Sequence, residues 1–189
     1  MGLPCLAYLP EAPTLAFGEN EAMEVVVRQA VVEDAPDLAA LHLRTALIAY
    51  ASIFPTESKP PTLEAMIFDW ERRLQGLHGP NSRGFVALAD GKPAGMVMAG
   101  ADLDHHEIGH IARLYVDVPC WACGIGTLLH NEALSYLQQV PYHRVSLWVL
   151  EGNLRARRWY ERLGWSCTGE RKTASGTSGV EDVRYVKNL

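Results

Sequence analysis

Apolar residues recur with two different periods along this chain, and the switches between them mark out its elements. Val25, Val26 and Val27 form a short β-branched run, closed near Ala30, that predicts a strand. Asp34, Pro36 and Asp37 then supply a helix start, with Asp34 as its cap. Leu38, Leu41, Thr45 and Ile48 follow at helical spacing as its buried stripe. Pro55 ends that segment and Pro60-Pro61 mark a loop. Residues 63–77 predict a second helix with Met66, Ile67, Trp70 and Leu74 on one face. Two short apolar runs, 85–89 and 94–99, flank Asp90-Gly91-Lys92-Pro93, a hairpin signal. A strand over 108–118 is closed by Pro119, and Gly124-Ile125-Gly126 opens a helix carrying Leu128, Leu129, Ala133, Tyr136 and Leu137. Residues 145–150 read as a buried strand, and 153–163 as a short helix with Ala156, Trp159, Tyr160 and Leu163 on one side. Gly164 stops that helix, and strands over 165–171 and 182–187 are joined by a Ser/Thr/Gly loop.

The order is therefore βααβββαβαββ, without repeat or interdomain linker. It predicts an α/β fold: one domain over 23–189, with a mixed, mostly antiparallel seven-stranded sheet and helices on both faces. Residues 1–22 contain three prolines, three glutamates and no lysine or arginine, which reads as a flexible extension and not as a secretory signal. Met23 offers a second start site, and Leu6 argues against myristoylation at Gly2.

Composition narrows the classes only slightly. Apolar residues at 48% and charged residues at 21% are ordinary for a globular domain. A net charge of −5 argues against nucleic-acid or anionic-membrane partners and suits a cationic substrate. No apolar run is long enough to span a bilayer. Cys120 and Cys123 form a lone Cys-x-x-Cys with no second ligand pair, so thiols in a reducing, cytoplasmic setting are expected and no metal.

Two segments carry the chemistry. The first runs from Leu114-Tyr115-Val116 through Pro119 into Trp121-Ala122-Cys123-Gly124-Ile125-Gly126-Thr127. A strand passing through a glycine loop into a helix presents free backbone amides to an anion. The second runs from Asn153 through Ala156 and Tyr160-Glu161 to Gly164-Trp165. Together they resemble the GNAT (Gcn5-related N-acetyltransferase) superfamily, over the whole order of elements from about residue 24 onward.

That resemblance implies an N-acetyltransferase that moves an acetyl group from acetyl-CoA to a primary amine of a small molecule or peptide, within a ternary complex. It implies that the main chain of Leu114, Tyr115 and Val116 holds the pantetheine arm beside a local splay or bulge. Amides from Trp121, Ala122 and Cys123 through Gly124, Ile125, Gly126 and Thr127 would bind the diphosphate. Asn153, beside Ala156, would meet the pantetheine region, and Tyr160 would be the general acid. A homodimer is a family-level expectation.

The chain departs from the family pattern in two places. Where relatives carry basic or glutamine side chains in the loop, this chain has Trp121 and Cys123, which removes charge-assisted contacts to a diphosphate. Where many relatives place a glutamate base, it has His110, whose ordinary pKa suits a base; Glu107 could act instead through water. The acceptor side is nominated as His42, Tyr50, Phe54 and Trp70, from the first two helices and the loop that joins them. The competing reading is a non-catalytic acyl-CoA-binding or interaction module whose phosphate loop has drifted.

Overall fold

A computed structural model describes residues 14–15, 23–55, 57–76, 79–174 and 179–189. A two-residue strand β1 (Thr14–Leu15) pairs antiparallel with the start of β2 (Met23–Gln29). Helices α1 (Ala35–Ala49) and α2 (Leu63–Leu74) follow. Next come β3 (Arg83–Ala89), β4 (Lys92–Ala101) and β5 (Gly109–Val116). Helix α3 (Ile125–Gln138), β6 (Arg144–Leu150) and α4 (Leu154–Arg162) lead to β7 (Ser166–Thr173) and β8 (Glu181–Asn188).

The strands lie in the order β1-β2-β3-β4-β5-β6-β8-β7, and β5–β6 is the parallel pair in an otherwise antiparallel sheet. All seven expected strands are present, and β1 adds an edge within the segment read as an extension. The rest of that segment lies outside the described residues, as does the middle of the loop between β7 and β8.

Two cores sandwich the sheet. On one face α3 and α4 bury Ile125, Leu129, Ala133, Leu137 and Tyr160 against Val97, Ile111 and Leu147. Gly95 allows α3 to lie close, because a Cβ there would come within 2.8 Å of Leu129 Cδ1. On the other face α1 and α2 bury Leu38, Leu41, Met66 and Trp70 against Val86, Met96 and Met98.

Three local expectations are corrected. Ile48 is 56% exposed, because α1 is in its last turn there and has run past the sheet. Asp34 stands at the N-cap position of α1, but its carboxylate takes the Val31 amide and the Arg28 guanidinium, and not a helix amide. Helix α2 ends at Leu74, short of residue 77, where Gly76 turns the chain at φ +77°.

Candidate active site

The functional geometry starts from a failure of pairing. Strands β5 and β6 are joined only at Gly109–Val145 and His110–Ser146. Beyond that point they diverge, and a bulge at Arg113–Leu114 shifts the β4–β5 register between Met96 and Met98. The β6-facing edge of β5 from Ala112 onward therefore has no strand partner among the described residues, and an extended chain could add to it. A cavity of about 460 Å³ occupies the fork, lined by Leu114 and Tyr115 on one side and by Val149, Asn153, Ala156 and Tyr160 on the other.

At the end of β5, Asp117 accepts from its neighbour Val118 and is gripped by Arg44, which starts a short 3-10 turn. Ala122 (φ +64°) and Gly124 (φ +81°) then turn the chain through left-handed conformations into α3. The amides of Gly124, Ile125 and Gly126 point out of the helix start without backbone partners among the described residues, while that of Thr127 returns to the Gly124 carbonyl. Successive free amides at a helix start suit a diphosphate. Trp121 contributes no charge, but its indole donates to the Val116 carbonyl at 2.7 Å, and the Arg155 guanidinium lies over its ring at 4.0 Å. The indole thereby takes one of the main-chain acceptors expected to hold a pantetheine arm. The Cys123 thiol turns to the Trp121 carbonyl.

Asn153 uses its side-chain oxygen to cap α4 through the Ala156 amide, and the residue lines the cavity with its amide nitrogen unpartnered among the described residues. About two helical turns later, Tyr160 packs between Trp159, Trp165 and Tyr185. Its ring is buried in the core, yet the residue lines the cavity, and its hydroxyl has no hydrogen-bond partner among the described residues. Burial, with Tyr115 nearby, pushes its pKa well above the ordinary phenol value, so it holds its proton at neutral pH.

His110 sits at the crotch of the fork and lines the same cavity. Its Nδ1 is 2.8 Å from Ser146 Oγ, which is itself 2.5 Å from Asp102 Oδ2. Asp102 is also held by Arg184 at 2.8 Å and by the amides of Asp104 and His105. Burial works to raise the Asp102 pKa, but hydrogen bonds from Ser146 and the Asp104 amide, with Arg184 nearby, keep it below the usual carboxylate range, so it is ionised and can only accept. The one proton of Ser146 then goes to Asp102, and Ser146 must accept from His110. That fixes the tautomer: Nδ1 carries the hydrogen and Nε2 carries a free lone pair. Burial pushes the imidazole pKa down to about 4, so His110 is neutral at pH 7.

On the acceptor side the nominated residues divide. Tyr50 and Phe54 line the cavity, and Tyr50 reaches the Tyr115 hydroxyl at 3.2 Å. His42 and Trp70 are instead packed between α1, α2 and the sheet, with His42 against Tyr115 at 4.1 Å. Glu107 is not on the cavity wall; its side chain is 74% exposed beside His105. Sequence reading missed Asp102, Ser146, Arg184 and Arg113, since each joins the site through a contact distant in sequence or through the bulge.

The chain is similar to known acetyltransferases in sequence and in fold. The model of the Acetyltransferase (GNAT) family matches residues 41–165. An uncharacterized N-acetyltransferase from Methanocaldococcus jannaschii is 28% identical over 160 residues, 78% of this chain and 66% of that protein. A protein of Mycobacterium tuberculosis named "Probable N-acetyltransferase" is 35% identical over 96 residues, 51% of this chain and 53% of its own length. The chain thus spans between about half and two thirds of the curated relatives it matches. Among solved structures, the PaiA N-acetyltransferase of Thermoplasma acidophilum in complex with coenzyme A shares the fold, with a TM-score of 0.69 at 19% identity, covering 88% of this chain and all of that one. Forked strands, a glycine turn into α3, Tyr160 on α4 and the match across both segments lead to one conclusion: the chain belongs to the GNAT family of acetyltransferases.

Proposed function

We propose that this chain is an acetyl-CoA-dependent N-acetyltransferase acting on a primary amine by direct attack in a ternary complex. The observation that carries the reading is that Tyr160 and His110 line one cavity, entered beside an unpaired strand edge. When bound, acetyl-CoA supplies an activated acetyl thioester. The free amides of Gly124, Ile125 and Gly126 fit its diphosphate, and the open edge of β5 and the Asn153 amide fit its pantetheine arm. A backbone N–H near Leu114 would polarise the carbonyl, and the walls of the fork would align the two reactants.

His110 presents a bare Nε2 to take a proton from the amine. Its low pKa makes it a relay and not a store, so the proton passes on to solvent. Tyr160 keeps its proton at neutral pH and can release it to a departing thiolate. Tyr160→Phe tests the assignment: turnover should fall about 100-fold or more with acetyl-CoA binding retained. Unchanged turnover would remove Tyr160 from the chemistry. The Trp121 bond to Val116 favours a second reading, a binding module without turnover; wild-type protein that binds acetyl-CoA and acetylates no amine would establish it.

A further inference from the structure

We propose that the acceptor carries a carboxylate beside its amine, as an amino acid does, and that Arg113 is the residue that receives it. The inference deepens the reading of this cavity as an acceptor site and rests on it. Arg113 is the bulged residue of β5, held at φ +55°, a backbone conformation that costs a side-chain-bearing residue energy and re-aims it. It lines the cavity with His110, three residues before it on the same strand. Its charge is felt by His42 and Tyr50 of the α1 segment, by Arg73 of α2 and, across the fork, by Asp182 of β8.

The other cations of the cavity wall have partners. Arg73, the second arginine in the wall, is engaged bidentately by Asp69 at 2.7 and 3.0 Å. Asp102 is held by Arg184. Lys172 stands opposite Asp182 in register and lies 4.2 Å over the Trp148 ring. Arg113 alone among these cations makes no hydrogen bond, ion pair or ring contact with any described residue, although the residue is half-buried. A planar fork without a partner, facing a substrate cavity, matches a carboxylate in shape and in its single charge. A phosphate dianion would leave surplus negative charge near Asp104 and Asp182, which also line the cavity. Polyamines and other polycations would face Arg113 with like charge.

The test is a matched panel: common amino acids, their α-amides and their decarboxylated amines, assayed by thiol release from acetyl-CoA. Wild-type protein should favour the carboxylate-bearing member about 10- to 100-fold in kcat/KM, the range for losing a charge-assisted bond. Arg113→Gln should erase that preference, and Arg113→Lys should restore part of it. Equal rates across a matched set, a preference for the amines, or discrimination that survives in Arg113→Gln would each overturn the proposal. If no amine is acetylated, calorimetry of CoA-saturated protein with N-acetyl amino acids and their amides decides separately. A carboxylate preference lost in Arg113→Gln then keeps the site while the transfer reading fails, and no preference overturns the site as well.

Discussion

Replacing Ser146 by alanine would break the link that sets the His110 tautomer while leaving both of its neighbours in place. The hydroxyl is fully buried, donates to Asp102 at 2.5 Å and accepts from His110 Nδ1 at 2.8 Å. A hydrogen bond to a charged group contributes about 1.5–3 kcal/mol. Asp102 keeps Arg184 and two backbone amides, so the loss should stay near the low end, about 2 kcal/mol. For a domain of this size that is a fall of roughly 4–8 °C in Tm. The functional loss has a different origin. With no acceptor at Nδ1, the imidazole hydrogen distributes between both nitrogens and Nε2 loses its constant lone pair. Asp102 Oδ2 lies 3.9 Å from Nδ1, too far for a direct bond without ring movement. We therefore expect kcat/KM to fall about 10-fold or more, within the range of a general base. Nitrogen-15 NMR of the histidine side chains reads the tautomer directly: wild type should show His110 with Nδ1 protonated, and the variant a mixture. An unchanged tautomer, or turnover within about twofold of wild type at matched folded fraction, would refute the relay.

Trp121→Phe removes the indole donor and frees the Val116 carbonyl. Acetyl-CoA should then bind about 3- to 10-fold more tightly, as expected for one released hydrogen bond; calorimetry showing weaker binding would mean that the indole itself supports the cofactor. Burial depresses His42 to about 3 and His110 to about 4, against an ordinary value of 6.5. Between those values and 6.5 the unfolded chain binds more protons than the native one, so stability falls as pH drops from 6.5, by roughly 3–5 kcal/mol per group. Urea midpoints between pH 7 and 4 should show this, and His42→Leu should flatten the slope; an unchanged slope would count against a buried neutral His42. Because His110 is already neutral, kcat/KM should rise with pH along the ionisation of the acceptor amine. A limb near 6.5 in the pH–rate profile would show that His110 titrates normally.

Most of the fold was legible because each element carries its own signal. The β-branched run of β2, the Asp90-Gly91 turn between β3 and β4, and the apolar stripe of α3 are local patterns that tertiary contacts reinforce. Local chemistry also marked the cradle of Gly124 and Gly126 and the placement of Asn153 and Tyr160 on one helix. The rest depended on distance. Ser146 meets His110 across 36 residues and Arg184 meets Asp102 across 82, and no periodicity encodes such pairs. Asp34 shows the same limit on a smaller scale: its helix-cap signal was real, but Arg28 on the neighbouring strand offered a charged partner at 2.8 Å. Arg113 reads in sequence as one more strand residue, and only the bulge turns it into the cavity wall.

The most direct measurement is mass spectrometry of an amine panel incubated with purified protein and acetyl-CoA, with thiol release followed in parallel. Saturable formation of an N-acetylated amine matched by released CoA is expected, with its loss in Tyr160→Phe. Tight acetyl-CoA binding with no acetylated product from any amine would contradict it.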